Sequence, residues 1–326
     1  QNGWPDFPAS MVERLLQVPG VTKVECEGPQ SSALIPLRMA HGIAGAACRM
    51  STVLGTGPVT QAIVDSMQSW GIDLEITHQL DDADSPIEFS FRDPAGPNAS
   101  LILYPVTRQR YRRAIGQLLE PPDHLILNRY NNGLRDIAKE VSDHGGIVSF
   151  RPRELGRYDR IDDYISLLTF TNQLVISSRH GVMRAFAQRA GIDPDRRWPE
   201  NLQTLEHTSL GRMATWMIEC MHPSAGAVVV LHRYGTADSV FYCSDHPQVI
   251  VDAPEGHGAE SRAARIQGAL LGRVLLGGSA ISPPVEAGGW RRCCEDVVDL
   301  AFRGTDVRPW WYPGLTEKRQ PSELIN

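Results

Sequence analysis

The stretch PIEFSFRDPAGPNASLILYP, from Pro86 to Pro105, holds two runs of strand-forming residues, Ile87 to Arg92 and Ser100 to Tyr104, separated by Asp93-Pro94-Ala95-Gly96-Pro97-Asn98. Alternation with period two across a turn rich in Pro, Gly and Asn predicts a β-hairpin. The chain on either side alternates helical and strand patterns, so the hairpin interrupts an α/β chain and belongs to a small sheet outside the main one.

Upstream, Ser51 to Leu54 reads as a short strand ended by Gly55-Thr56-Gly57. Val59 to Trp70 follows with Ile63, Val64, Met67 and Trp70 at helical spacing, and Gly71 closes that helix. Downstream of Pro121-Pro122 the expected strands are His124 to Leu127, Gly146 to Phe150, Gln173 to Ser177, Ala227 to Leu231, Phe241 to Cys243 and Gln248 to Asp252. The expected helices are Asn132 to His144, Asp162 to Thr169, Val182 to Ala190, Leu205 to His222, Ser261 to Leu276 and Cys293 to Phe302. Ala227 to Leu231 is wholly apolar, which predicts a strand buried on both faces.

The 326 residues suffice to bury a large core, and no apolar run approaches the roughly 20 residues that a membrane-spanning helix needs. With 42% hydrophobic and 21% charged residues and a mean hydropathy of −0.24, the composition is that of a soluble globular protein without membrane insertion. A net charge of −6 argues against a broad nucleic-acid surface, which needs clustered positive charge. The cluster RQRYRR, Arg108 to Arg113, reads first as a solvated helix face, with RNA or an acidic partner as the alternative. Lys23, Lys139 and Lys318 are the only lysines, so the basic residues are almost all arginine; a coding bias or bidentate pairing at interfaces would each produce this. Six cysteines lie scattered without metal-ligand or disulfide-framework spacing, which points to a reducing compartment. No secretion signal is visible at the start of the sequence.

The order of elements from about Gly28 to Arg303 resembles the PfkB family of carbohydrate kinases, which includes ribokinase, fructokinase and adenosine kinase. Pro86 to Pro105 is similar to that family's paired lid strands with their Asp-Pro-x-Gly turn. Glu27 to Ala40 (EGPQSSALIPLRMA) is similar to the glycine-led entry into a helix, with Gly28 at one glycine position and Ser32 where a substrate-contacting Asn is expected. Pro36 falls inside that helix, where it would cost about 3 kcal/mol unless the helix kinks. The resemblance implies a ribokinase-like three-layer α/β/α domain with a mainly parallel central sheet and a small β lid. It also implies a domain over residues 28–303, between an N-terminal segment 1–27 and a C-terminal tail 304–326.

The resemblance also shows what the site positions hold. Where the family carries Asn-x-x-Glu to organise magnesium, this chain has Ser177 and His180; an imidazole is a poor hard-oxygen contact for magnesium, and His180 also reads as a helix cap. Where Thr-x-Gly-x-x-Gly approaches the nucleotide, Val230 and His232 replace the first two residues and only Gly235 is kept, adding bulk where backbone should come close. Where Gly-Ala-Gly-Asp forms an anion hole and supplies the base, the chain has Gly256, His257, Gly258 and Ala259; a methyl group accepts no proton. Glu260 is the rival base, one residue and about 100° further round the helix, and it also reads as an acid complementing the helix dipole.

These departures lead to the expectation of a non-catalytic, PfkB-like pseudokinase that serves as a structural or regulatory subunit of a larger assembly and needs no cofactor. Other protein subunits are the expected partners, with a homodimer formed through the lid, and analogy with the family places the protein in a mitochondrion or plastid. The cluster Trp310-Trp311-Tyr312 offers aromatic anchors for a partner, or packs back on its own domain. The alternative is a divergent sugar or nucleoside kinase that uses ATP and magnesium with Glu260 as base.

Overall fold

A computed structural model describes residues 14, 17, 34–80, 87–91, 99–103, 122–128, 130, 132–152, 160–177, 180–192, 207–221, 227–232, 238–244, 246–254, 259–277 and 289–302. In chain order the elements are α1 (Leu34–Ala44), β1 (Cys48–Gly55), α2 (Pro58–Ser69), β2 (Ile72–Leu80), β3 (Ile87–Phe91), β4 (Ala99–Leu103) and β5 (Leu125–Leu127). Then come α3 (Asn132–Asp143), β6 (Val148–Phe150), α4 (Ile161–Leu168), β7 (Gln173–Ser177), α5 (His180–Arg189) and α6 (His207–Cys220). The last are β8 (Val228–His232), β9 (Asp238–Cys243), β10 (His246–Asp252), α7 (Ala259–Gly277) and α8 (Gly289–Phe302).

The main sheet has the order β10-β9-β8-β7-β6-β5, with β5 to β8 mutually parallel and β9 and β10 antiparallel to their neighbours. Its central strands are buried along their length and apolar in the middle because both faces are covered, the condition under which parallel strands are stable. Val175, Val228 and Val230 pack with residues of α1, α7 and α8, while Leu174, Ile176, Val229 and Leu231 pack with residues of α3 to α6. Two cores separated by one sheet make three layers, α/β/α, as expected.

The hairpin pairs β3 with β4 antiparallel, Ile87 opposite Leu103 and Phe91 opposite Ala99, in a two-stranded sheet separate from the main one. A second separate pair was not foreseen: β2 lies parallel to β1, with Cys48 beside Ile72. The sequence IDLEITHQL alternates apolar and polar residues, yet the glycine stop before it drew attention to the end of α2 rather than to a new strand. Gly71 makes that stop with φ +68°, a conformation side chains resist.

Pro36 is buried within α1. Its backbone serves close packing: a Cβ on Gly268 of α7 would press into the Pro36 carbonyl oxygen and lie 2.5 Å from Met39 Cβ. Glycine lets the two helices touch backbone to backbone.

Candidate functional site

Open α/β sheets bind ligands at the carboxyl ends of their parallel strands, where the loops leave the sheet. Here β6 runs out into Arg151, β7 ends at Ser177 and β8 ends at His232. In the parallel register Ser177 lies directly beside His232, and the antiparallel β9 brings Ser239 beside His232 from the other side. Alternation along each strand fixes the face: Ser149 and Arg151, Ser177, and His232 with Ser239 share the parity of the strand residues packed under α7. The strands are apolar in the middle and polar at this rim.

Helix α7 closes the layer. Its Gln267, fully buried, donates through Nε2 to the carbonyl oxygens of Ser149 (3.1 Å) and Leu127 (3.3 Å), while its Oε1 accepts from Arg151 Nε at 3.2 Å. One side chain thus ties the helix to β5, β6 and the arginine that follows β6. Five residues earlier, about 7.5 Å along the axis, Arg262 is also buried, and burial holds its pKa below the ordinary arginine value.

His232 is the centre of the rim. It has no exposed surface, and its Nδ1 lies 2.9 Å from Ser239 Oγ. Its Nε2 has no hydrogen-bond partner. Burial first, then the positive charges of Arg262 and Arg151, push its pKa down to about 3, so the imidazole is neutral at physiological pH.

Sequence reasoning named two members of this rim, Ser177 and His232, and the structure makes them neighbours. His180 opens α5 beyond the end of β7; Ala259 and Glu260 are the first two residues of α7. The side chains of these three, together with Gly28, Ser32, Gly235, Gly256, His257, Gly258, Trp310, Trp311 and Tyr312, lie outside the described residues. Arg151, Gln267 and Arg262 were missed. Their signal was present as polar residues interrupting apolar periodicity, Arg151 just past a buried strand and Gln267 in mid-helix between Ile266 and Ala269.

Two guanidinium groups and a neutral imidazole do not fit magnesium, which takes oxygen donors and above all carboxylates. Among the described residues no group of His, Cys, Asp or Glu is arranged to hold a metal ion, and no helix is long and apolar enough to cross a membrane.

No family model matches the chain, and no curated protein does. Solved structures do match. An adenosine kinase from Trypanosoma brucei brucei is similar over 84% of this chain and 81% of its own, with 14% identity and a TM-score of 0.54. An adenosine kinase from Anopheles gambiae is similar over 85% and 80%, with 9% identity and a TM-score of 0.57. A ribokinase from Thermotoga maritima is similar over 84% and 78%, with 13% identity and a TM-score of 0.52. The chain therefore has the ribokinase-like fold, with the mostly parallel sheet flanked by helices that the hairpin and the alternation predicted.

Proposed function

We propose that this chain uses the ribokinase-like fold without phosphoryl transfer, as a structural or regulatory subunit of a larger assembly. The observation that carries the reading is the rim itself: at the strand ends, beside the start of α7, the buried titratable side chains under that helix are, among the described residues, His232, Arg151 and Arg262. A general base must accept a proton near neutral pH. His232 is held neutral with its Nδ1 already engaged by Ser239, and arginine never deprotonates at such pH. The position expected to supply the base is Ala259.

On this reading the protein works through contacts. Its partners are other protein subunits, with Trp310, Trp311 and Tyr312 as anchors and the β3–β4 hairpin as the surface where two copies pair. Its home is a reducing compartment, a mitochondrion or plastid; Cys48, Cys220, Cys293 and Cys294, none of them in a disulfide, support this.

A second reading is favoured by Glu260, which stands in the first turn of α7, and by neighbours named as kinases: a divergent ATP-dependent sugar or nucleoside kinase with Glu260 as base. One experiment separates the two. Wild type and Glu260→Gln are screened for ATPase and for sugar and nucleoside kinase activity, alongside a pull-down of wild type and a Trp310/Trp311/Tyr312 triple-Ala variant. Loss of partners by the tail variant with no turnover in any sample supports the contact role. A robust kinase rate that Glu260→Gln abolishes, with the tail variant keeping every partner, would sink it.

A further inference from the structure

We propose that His124 is a pH-sensitive latch: its neutral ring holds the start of β5 against the turn from α3 into β6, and its protonated ring releases it. The inference stands apart from the question of turnover, because it concerns the amino ends of the strands, away from the candidate site.

Three features carry it. The first is the hydrogen bond itself. The backbone N–H of Ile147 donates to His124 Nδ1 at 3.1 Å. A backbone N–H can only donate, so Nδ1 offers its lone pair and the ring is neutral, with its proton on Nε2. An imidazolium carries a proton on both nitrogens. It would set N–H against N–H and leave the buried Ile147 amide without an acceptor.

The second is rigidity. Gly145 closes α3 with φ +77°, its N–H donating to the Ser142 carbonyl at 3.0 Å, and the Gly146 N–H donates to the Val141 carbonyl at 2.8 Å. A Cβ on Gly146 would press into the Asp123 carbonyl oxygen, so the turn packs directly on the backbone beside His124. On its other side Ile147 accepts from the Leu125 N–H at 2.8 Å. Held at both ends, the Ile147 N–H faces the ring and cannot turn to another partner.

The third is placement. Strand β5 has three residues and, among the described residues, pairs only with β6, so a single bond at its start is a large share of what holds it. The ring is half-buried, so protons reach it from solvent. Burial lowers its pKa from 6.5 and outweighs Asp123, which raises it. The contribution of the latch is therefore present above pH 6.5 and lost as pH falls through the lowered value. Asp123 is the charged neighbour on its own segment, and residues 146–149 carry no charge. The last turns of α3 bring Lys139, Glu140, Asp143 and His144, all exposed; Lys139 pairs with Asp143, and His144 Nδ1 donates to the Glu140 carbonyl at 2.7 Å.

The test uses the full chain at pH 7.5 and pH 5. Amide hydrogen exchange, corrected for the intrinsic effect of pH, is read at Ile147 and Leu125, with Val175 and Val229 in the central strands reporting global opening. Nitrogen-15 shifts of His124 report its tautomer and titration. In wild type the Ile147 and Leu125 amides are expected to lose about fivefold or more in protection at pH 5 relative to Val175 and Val229, the change that loss of one hydrogen bond brings. His124→Asn puts an amide oxygen near the place of Nδ1 and does not titrate, so it should keep its protection at both pH values. His124→Phe removes the acceptor and should be poorly protected at both; if it does not fold, wild type and His124→Asn decide. Equal relative protection of Ile147 at the two pH values in wild type, a proton on Nδ1 at pH 7.5, or the same acid-dependent loss in His124→Asn would each overturn the proposal.

Discussion

His232 and Ser177 lie side by side across the parallel pair β7–β8, both at the carboxyl end of their strands and both buried. Ser239 holds the imidazole from the opposite side, through Nδ1 at 2.9 Å. This clamp keeps a titratable ring inside a protein layer that also contains two arginines.

The clamp sets a pH dependence. His232 has its pKa lowered from 6.5 to about 3 by burial and by Arg262 and Arg151, so the unfolded chain binds a proton there at a pH where the folded chain does not. Its contribution is fully present above pH 6.5 and is lost progressively as pH falls toward 3, by about 2 kcal/mol at pH 5. Urea unfolding at pH 7.5 and pH 5 should show a drop larger in wild type than in His232→Gln by roughly that amount. Equal drops would mean the ring is protonated in the folded protein.

The contact between α1 and α7 depends on Gly268. Ala there would drive a methyl group into backbone, and overpacking of this kind costs about 1–3 kcal/mol. Gly272→Ala should cost less, since its Cβ would meet Ile43 Cβ at 3.0 Å, a side chain that can shift. Gly211→Ala in α6 meets nothing within 4 Å and should stabilise by about 0.5–1 kcal/mol. Thermal melts of the three variants should fall in that order; a Gly268→Ala protein as stable as wild type would show that the two helices separate freely.

Gln267 is expected to hold more than its size suggests. Gln267→Leu leaves Arg151 Nε and the carbonyls of Leu127 and Ser149 without their side-chain partner in a dry layer, at a cost of about 3 kcal/mol. Gln267→Glu keeps an acceptor for Arg151 but loses the donor to both carbonyls, so part of the loss should be restored. Denaturant midpoints for the two variants give the comparison, and a Leu variant at wild-type stability would contradict it.

Ala259→Asp should leave the protein without kinase activity while slightly raising its Tm. A carboxylate at the first position of α7 complements the helix dipole by about 0.3–1 kcal/mol. Restoring one acid leaves Ser177, His180 and His232 in place, where the resemblance calls for other residues. A measurable rate of phosphoryl transfer from this single change would show that the rest of the site is competent.

The hairpin, the three-layer architecture and nearly every strand and helix were legible in the sequence, because hydrophobic period and turn chemistry are local properties. Ile87 to Phe91 and Ala99 to Leu103 could be paired on paper, since the seven residues between them, which include two prolines and a glycine, leave few other arrangements. The strand Ile72–Leu80 was missed for the opposite reason: its partner Cys48–Gly55 lies across a whole helix, and nothing local announces a parallel pair.

The site was legible only in part. Comparison of motifs directed attention to Ser177, His180, His232 and the glycines before Ala259, while the polar layer under α7 depends on contacts no local pattern carries. Arg151 meets Gln267 across 116 residues, and Gln267 meets Leu127 across 140. In the sequence each is a polar residue of no stated purpose. Only the folding of a parallel sheet, which brings strands separated by whole helices to one edge and lays a distant helix over them, makes Arg151, His232 and Arg262 a single buried group, because the desolvation and charge that define it exist only in the packed state.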